Sequence, residues 1–279
     1  MKNLVVIPNL NKDVTLSVTD AVVNRLLGLG FNVYINSSVG CKAEGVTLYD
    51  ELPENMDLMV VIGGDGSVID ASAIAIERDV PILGVNLGRL GYLTEVEKDE
   101  ISTLDGLLSG EYSIIEKMLL EVDHSDGSRC ERYAVNDITV RESSLCIADI
   151  KIEDSIENVV KLRADGVILS TPQGSTAYSF SAGGPILAHD VEGILLTPIS
   201  AHSFFNRSVL FNSSEVIRVT NVGNLPLNIS MDGRTVGALA PKEHCNIRRA
   251  PRNVKILTFK KNSMFSSLFK KMRILGDID

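Results

Sequence analysis

The chain lacks an apolar run of the roughly 18 to 20 residues that a bilayer-crossing helix needs, so it carries no transmembrane helix. It lacks a basic surplus as well. A formal net charge of -9 opposes non-specific binding to nucleic acid or to anionic lipid, both of which are driven by basic surface. Paired cysteines are missing too. Cys41, Cys130, Cys146 and Cys245 stand far apart, with neither CxxC nor histidine-partner spacing, which argues against a disulfide framework or a metal cage and for a reducing, cytoplasmic setting. The start, MKNLVVIPNLNKD, has no long apolar stretch ending in a small-residue cleavage site and reads as a first strand, not a signal peptide. No low-complexity linker or internal repeat divides the chain.

What is present is the composition of a globular protein, 44% apolar and 23% charged, in 279 residues, enough for one large domain or two ordinary ones. Residues 1–97 alternate short apolar runs (NLVVIP, FNVYI, LMVVIG, PILGVN) with helical patterns, which predicts a Rossmann-like parallel α/β domain. Residues 98–254 are mostly alternating, strand-like segments separated by turn residues and predict a β-rich, β-sandwich-like domain. The last piece, 255–279, reads as a strand and a helix that return to the first domain. Its basic stretch FKKNSMFSSLFKKMR reads as an amphipathic helix packing Phe265, Leu268, Phe269 and Met272 on the body in preference to a membrane anchor.

Two segments carry chemistry. In VVIGGDGSVIDASA, residues 60 to 73, an apolar strand runs into three glycines, then a helical pattern. Backbone N–H groups in such a turn converge on one spot and suit phosphate, and Gly63, Gly64 and Gly66 allow close approach, with Ser67 beside them. Asp65 repels phosphate unless it binds a cation, accepts a substrate hydroxyl proton or hydrogen-bonds a ribose. It could equally cap an ordinary strand-to-helix turn. The segment is neither a Walker A loop nor GxGxxG. In the second, ADGVILSTPQGSTAYSFSAGGPIL (164 to 187), a strand opens into small and hydroxyl-bearing residues around Tyr178. Small residues let a flat ligand reach the backbone, and hydroxyls can bond base or ribose edges; a tight loop satisfying its own backbone is the alternative.

Taken together and in this order, the two motifs resemble the NAD kinase family. GVNLGRLGYL (84 to 93) looks like that family's GxNxGxLGFL loop with Tyr92 for Phe, and the likeness continues in AVNDITV (134 to 140), RADG (163 to 166), STPQGSTAY (170 to 178), SAGGPIL (181 to 187), PISAHSFFNR (198 to 207) and DGR (232 to 234). Asp137 stands where the family often has Glu, so its reach to a ribose hydroxyl is one methylene shorter, and Gln173 replaces a usual Thr.

The resemblance implies phosphoryl transfer from ATP, another triphosphate or polyphosphate to the 2′-hydroxyl of NAD's adenosine ribose, giving NADP. Asp65 would be catalytic, holding that hydroxyl and accepting its proton. Asn136, Thr176 and Ser181 would bond the adenine, Ala177 and Tyr178 would shape the pocket with Tyr92 against it, and Asp165 would meet the nicotinamide end. Asp137 and Arg163 join the NAD-binding set, Arg163 pairing with phosphate or with Asp165 or Asp137. His202, Arg207 and Arg234 are further candidates, as ligand contacts or as surface residues. Mg²⁺ would arrive with the nucleotide, since no carboxylate cluster marks a dedicated metal site. The resemblance also implies a homodimer or homotetramer. A lipid-kinase-like enzyme and a non-catalytic NAD(P) sensor are the competing readings.

Overall fold

The computed structural model describes residues 2–88, 91–125, 127, 130, 132–144, 146–156, 158–188, 190–202 and 206–259. The chain divides into two compact units, Met1–Glu116 with Val254–Asp279, and Lys117–Asn253. The helix expected in FKKNSMFSSLFKKMR lies, beyond Phe259, outside the described residues.

The first unit opens with β1 (Asn3–Pro8), α1 (Ser17–Gly28), β2 (Asn32–Asn36), β3 (Thr47–Tyr49), β4 (Leu58–Gly63), α2 (Asp65–Arg78), β5 (Ile82–Asn86) and β6 (Val96–Glu97). β4 and β5 are buried along their whole length, as expected of parallel strands covered on both faces. The strands pair in the order β5-β4-β1-β2-β3, parallel throughout, with β6 parallel to β5. From β1 the chain builds outward through β2 and β3, then returns to the other side of β1 with β4. That reversal is a topological switch point, and ligands in open α/β sheets bind outside the carboxyl ends of the strands there. In α2, Val68, Ala71, Ser72, Ala75 and Ile76 are buried at helical spacing. α1 lacks a side-chain cap at its own N-cap residue, Leu16; the buried Asp13 accepts instead from the Val18 and Thr19 amides and the Thr19 hydroxyl.

The second unit holds β7 (Ser113–His124, entering at Lys117), β8 (Asp137–Arg141), β9 (Ala148–Glu153), β10 (Val159–Ala164), β11 (Gly166–Ser170), β12 (Gly193–Ile199), β13 (Val209–Asn212), β14 (Val216–Asn221), β15 (Leu227–Met231), β16 (Arg234–Leu239) and most of β17 (His244–Thr258). One sheet runs β10-β9-β14-β17, with β7 also on β17; the other runs β13-β12-β11-β8-β15-β16. Pairing along both runs is antiparallel. Alternation decides the inner faces: Ile138 and Val140, Val167 and Leu169, and Ile229 and Met231 from one sheet share a core with Ile150, Ile152, Ile217, Val219 and Ile247 from the other. The expected fold class, parallel α/β followed by an antiparallel β-sandwich, is the one observed. Within the first unit, the end of β17 lies parallel to β5, Ile256 opposite Ile82, and Leu257 enters that unit's core.

Candidate active site

In the first unit β4 ends at Gly63, where a β-carbon would collide with the Ser67 side chain. Gly64 is the N-cap of α2 and Asp65 its first residue. The Asp65 carboxylate does not cap its own helix. It reaches to the 91–93 segment and accepts from the Tyr92 amide at 3.0 and 2.8 Å and the Leu93 amide at 2.9 Å. A side chain at Gly91 would fall on the Asp65 carboxylate. The segment is braced further back by the buried Asn86, which bonds the Gly88 carbonyl and amide and Glu97 Oε2 (3.0 Å). Tyr92 therefore lies beside Asp65, and burial first, then the Asp65 charge, pushes its phenol pKa up. A carboxylate offers about four lone-pair sites, so this grip leaves capacity for a substrate hydroxyl.

Two residues of the β1–α1 loop that carry no motif signal in the sequence join the turn. Asn9 donates from Nδ2 to Ser67 Oγ at 2.8 Å, and its amide bonds the Ile62 carbonyl at 2.7 Å. Lys12 sets its ammonium over the glycines: a β-carbon on Gly64 would stand 2.9 Å from Lys12 Nζ, and one on Gly88 would stand 4.0 Å away.

In the second unit the segments 134–137 and 171–178 are folded onto each other. The Thr171 amide donates to the Asn136 carbonyl at 2.9 Å and the Thr171 hydroxyl to the Val135 carbonyl at 2.7 Å. Gly174 presses on the Asn136 backbone, 2.7 Å separating a built β-carbon from Asn136 Cα. From the far side Asp232 clamps the strand entrance, its carboxylate accepting from the amides of Val135 (2.8 Å), Asn136 (2.8 Å) and Asp137 (3.1 Å). Asp232 and Gly233 form the hairpin between β15 and β16, with φ of +48° and +79°. Asp-Gly is the sequence such a two-residue turn favours.

With Ile138 and Val140 facing the core, period two turns Asp137 to the opposite face of the sheet, and its ladder partner Ser170 turns the same way. Asp137 is 5% exposed. Burial, then the nearby Asp232 charge, raises its pKa to about 7. Asp232 is itself raised by burial, against the pull of its three amides. Ser170 Oγ and Gln173 Oε1 are buried with no hydrogen-bond partner among the described residues. The other hydroxyls divide. Thr171, Ser175 and Ser179 are buried and bonded within the fold, whereas Thr176, held only to the Gln173 carbonyl, and Ser181 stay accessible. Ala177 and Tyr178 are half-buried, and the Tyr178 hydroxyl accepts from Arg141 at 3.3 Å.

The remaining candidates lie further out. Arg163 pairs at 3.1 Å with Asp149, across the β9/β10 ladder, instead of with Asp165 or Asp137. Asp165 is half-buried at the bend between β10 and β11. His202 is exposed, its amide bonding the Arg163 carbonyl. Arg207 is exposed and bonds Asn206, and Arg234, also exposed, faces Asp232. Among the described residues no three His, Cys, Asp or Glu side chains are grouped to hold a metal ion.

Family models match both parts of the chain, the ATP-NAD kinase N-terminal domain over residues 4–112 and the ATP-NAD kinase C-terminal domain over 135–259, which makes it an enzyme of the kinase class. Relatives agree over the full length. A NAD kinase of Caldanaerobacter subterraneus subsp. tengcongensis is 35% identical, covering 98% of this chain and 99% of that protein, and one of Geotalea daltonii is 31% identical with the same coverage. The chain belongs to the NAD kinase family. Its fold is shared by yeast NADH kinase solved with NADH (TM-score 0.84, 23% identity, 100% of this chain and 89% of that one) and by an Archaeoglobus fulgidus NAD kinase solved with ATP (TM-score 0.72, 24% identity, 98% and 99%).

Proposed function

We propose that the chain transfers the γ-phosphoryl group of ATP to the 2′-hydroxyl of the adenosine ribose of NAD, producing NADP. The observation that carries this reading is the interlocking of 134–137 with 171–178, in which the Asn136 backbone packs on Thr171 and Gly174 of the segment that also carries the accessible Thr176, Ala177 and Tyr178, in a chain related throughout to NAD kinases. Asn136, Thr176 and Ser181 bind the adenine, Tyr178 supplies an apolar face, and Asp165 meets the nicotinamide end. Asp137 and Ser170 offer polar atoms to a ribose. Gly63, Gly64, Gly66 and Ser67 receive the donor phosphates at the start of α2, where the helix dipole favours negative charge.

Phosphoryl transfer through a loose transition state needs chiefly alignment and charge neutralisation, so no strong nucleophile is required of the protein. Asp65 orients the ribose hydroxyl and takes its proton late in transfer, a role that depends on hydrogen-bond reach. Its amide contacts to Tyr92 and Leu93 fix the carboxylate in one place beforehand. A divalent cation such as Mg²⁺, arriving with the nucleotide, would supply neutralisation of the charge developing on the phosphates. The active form is a cytoplasmic homo-oligomer.

The test is NADP formation from NAD and Mg-ATP by the wild type and Asp65→Asn. Wild-type turnover with a roughly 100-fold or larger loss of kcat in the variant, at retained NAD affinity, supports both the reaction and the residue. Tight NAD binding without turnover by the wild type hands the protein to the sensor reading.

A further inference from the structure

We infer that Lys12 is the side chain that meets the phosphate chain of the donor nucleotide, an assignment that rests on the kinase reading above and adds to it a residue outside the recognised motifs. Topology supplies the first argument. β1 and β4 are neighbours from which the chain departs to opposite sides of the sheet, so the loops at their carboxyl ends flank the switch-point crevice. The glycine turn is the β4 loop, and Lys12 belongs to the β1 loop.

Geometry supplies the second. The ammonium lies where a Gly64 side chain would be, directly over the backbone that opens α2. Its own backbone is fixed there: the Lys12 amide bonds the Asn9 carbonyl at 3.0 Å, the Asn11 amide bonds Asn9 Oδ1 at 3.1 Å, and Asn9 is stitched to Ser67 and Ile62. Flexible as a lysine stem is, its root cannot wander from the turn.

Charge supplies the third. The chain has 36 acidic against 27 basic residues, yet Lys12 Nζ makes no ion pair with any described residue. Two neighbouring acids are engaged elsewhere, Asp13, next in sequence, with the start of α1 and Asp65, next to Gly64, with the 92–93 amides. A lone ammonium beside a helix N-terminus, with glycines at 63, 64, 66 and 88 clearing the space, suits a polyanion. Lysine serves there as a point charge able to follow the phosphates as they move.

The experiment is steady-state NADP formation with Mg-ATP by the wild type, Lys12→Met and Lys12→Arg, with thermal melting of each. KM for ATP should rise about tenfold or more in Lys12→Met, KM for NAD should stay within about twofold, the melting temperature should move by less than about 2 °C, and Lys12→Arg should recover most of the donor affinity. An ATP KM within about twofold of wild type, or equal rises for both substrates, overturns the assignment. If the Met variant melts well below wild type, Lys12→Gln replaces it under the same criteria. Failure of the kinase reading is distinguishable, because then the wild type itself makes no NADP.

Discussion

Asp137 is a carboxyl that the fold holds at a disadvantage. It is 5% exposed and close to Asp232, whose own carboxylate is fixed by three backbone amides. The folded chain raises the Asp137 pKa from 3.8 to about 7, so between those values it keeps a proton that the unfolded chain releases. Stability from this group is therefore whole below about pH 4 and is lost as pH rises toward 7. Asp137→Asn should flatten that slope and leave the variant more stable than wild type at pH 8, on the order of 2 kcal/mol, while weakening NAD binding because an amide answers ribose hydroxyls differently. Melting temperatures at pH 5 and pH 8, with NAD affinity at pH 8, check both halves; a wild type and variant with parallel pH slopes would refute the coupling. Motif pattern brings Asn136 and Asp137 to notice in the sequence. It is silent on Lys12, because one lysine in a loop carries no signal until the fold sets it over a glycine turn.

Two glycines place opposite demands on the elements that hold them. Gly66 lies in the first turn of α2 with nothing within 4 Å of a built β-carbon, so Gly66→Ala should leave the fold intact and gain up to about 1 kcal/mol from helix propensity. If Gly63, Gly64 and Gly66 receive the donor phosphates as proposed, the added methyl would crowd them, and KM for ATP should rise even as the melting temperature holds or increases. Gly174 faces the Asn136 backbone, which cannot swing aside as a side-chain tip can. Gly174→Ala should cost roughly 1 to 3 kcal/mol and weaken NAD binding with it. Paired melts and substrate titrations of the two variants separate a glycine kept for ligand access from one kept for packing. Much at this scale is legible in sequence: buried runs such as LMVVIG give parallel strands, alternation gives the sandwich, and Asp-Gly at 232–233 marks a hairpin. The grip of Asp65 on amides 27 and 28 residues away is not, since period and propensity are local and this contact is made by topology.

At the scale of the molecule, charge and the choice of acceptor are one question. The competing lipid-kinase reading needs the protein to work at a membrane surface, where attraction to anionic headgroups would help to hold it. A net charge of -9 sets the long-range field against anionic lipid and nucleic acid. The exception is FKKNSMFSSLFKKMR, in which lysines and an arginine interleave with apolar residues in the manner of a surface-seeking amphipathic segment. Each basic residue near an anionic surface contributes about 1 kcal/mol, and this attraction falls off within the roughly 8 Å Debye length of physiological salt. A short basic stretch on a strongly acidic protein meets repulsion from the remainder of the chain over the same range. Full-length protein should therefore stay in the supernatant when sedimented with vesicles of phosphatidylcholine and phosphatidylglycerol at 0.15 M salt, and should not retard a short DNA duplex. Co-sedimentation that vanishes in 0.5 M salt would instead assign the basic stretch to membrane docking, and lipid acceptors would then have to be tried beside NAD in the same phosphoryl-transfer assay.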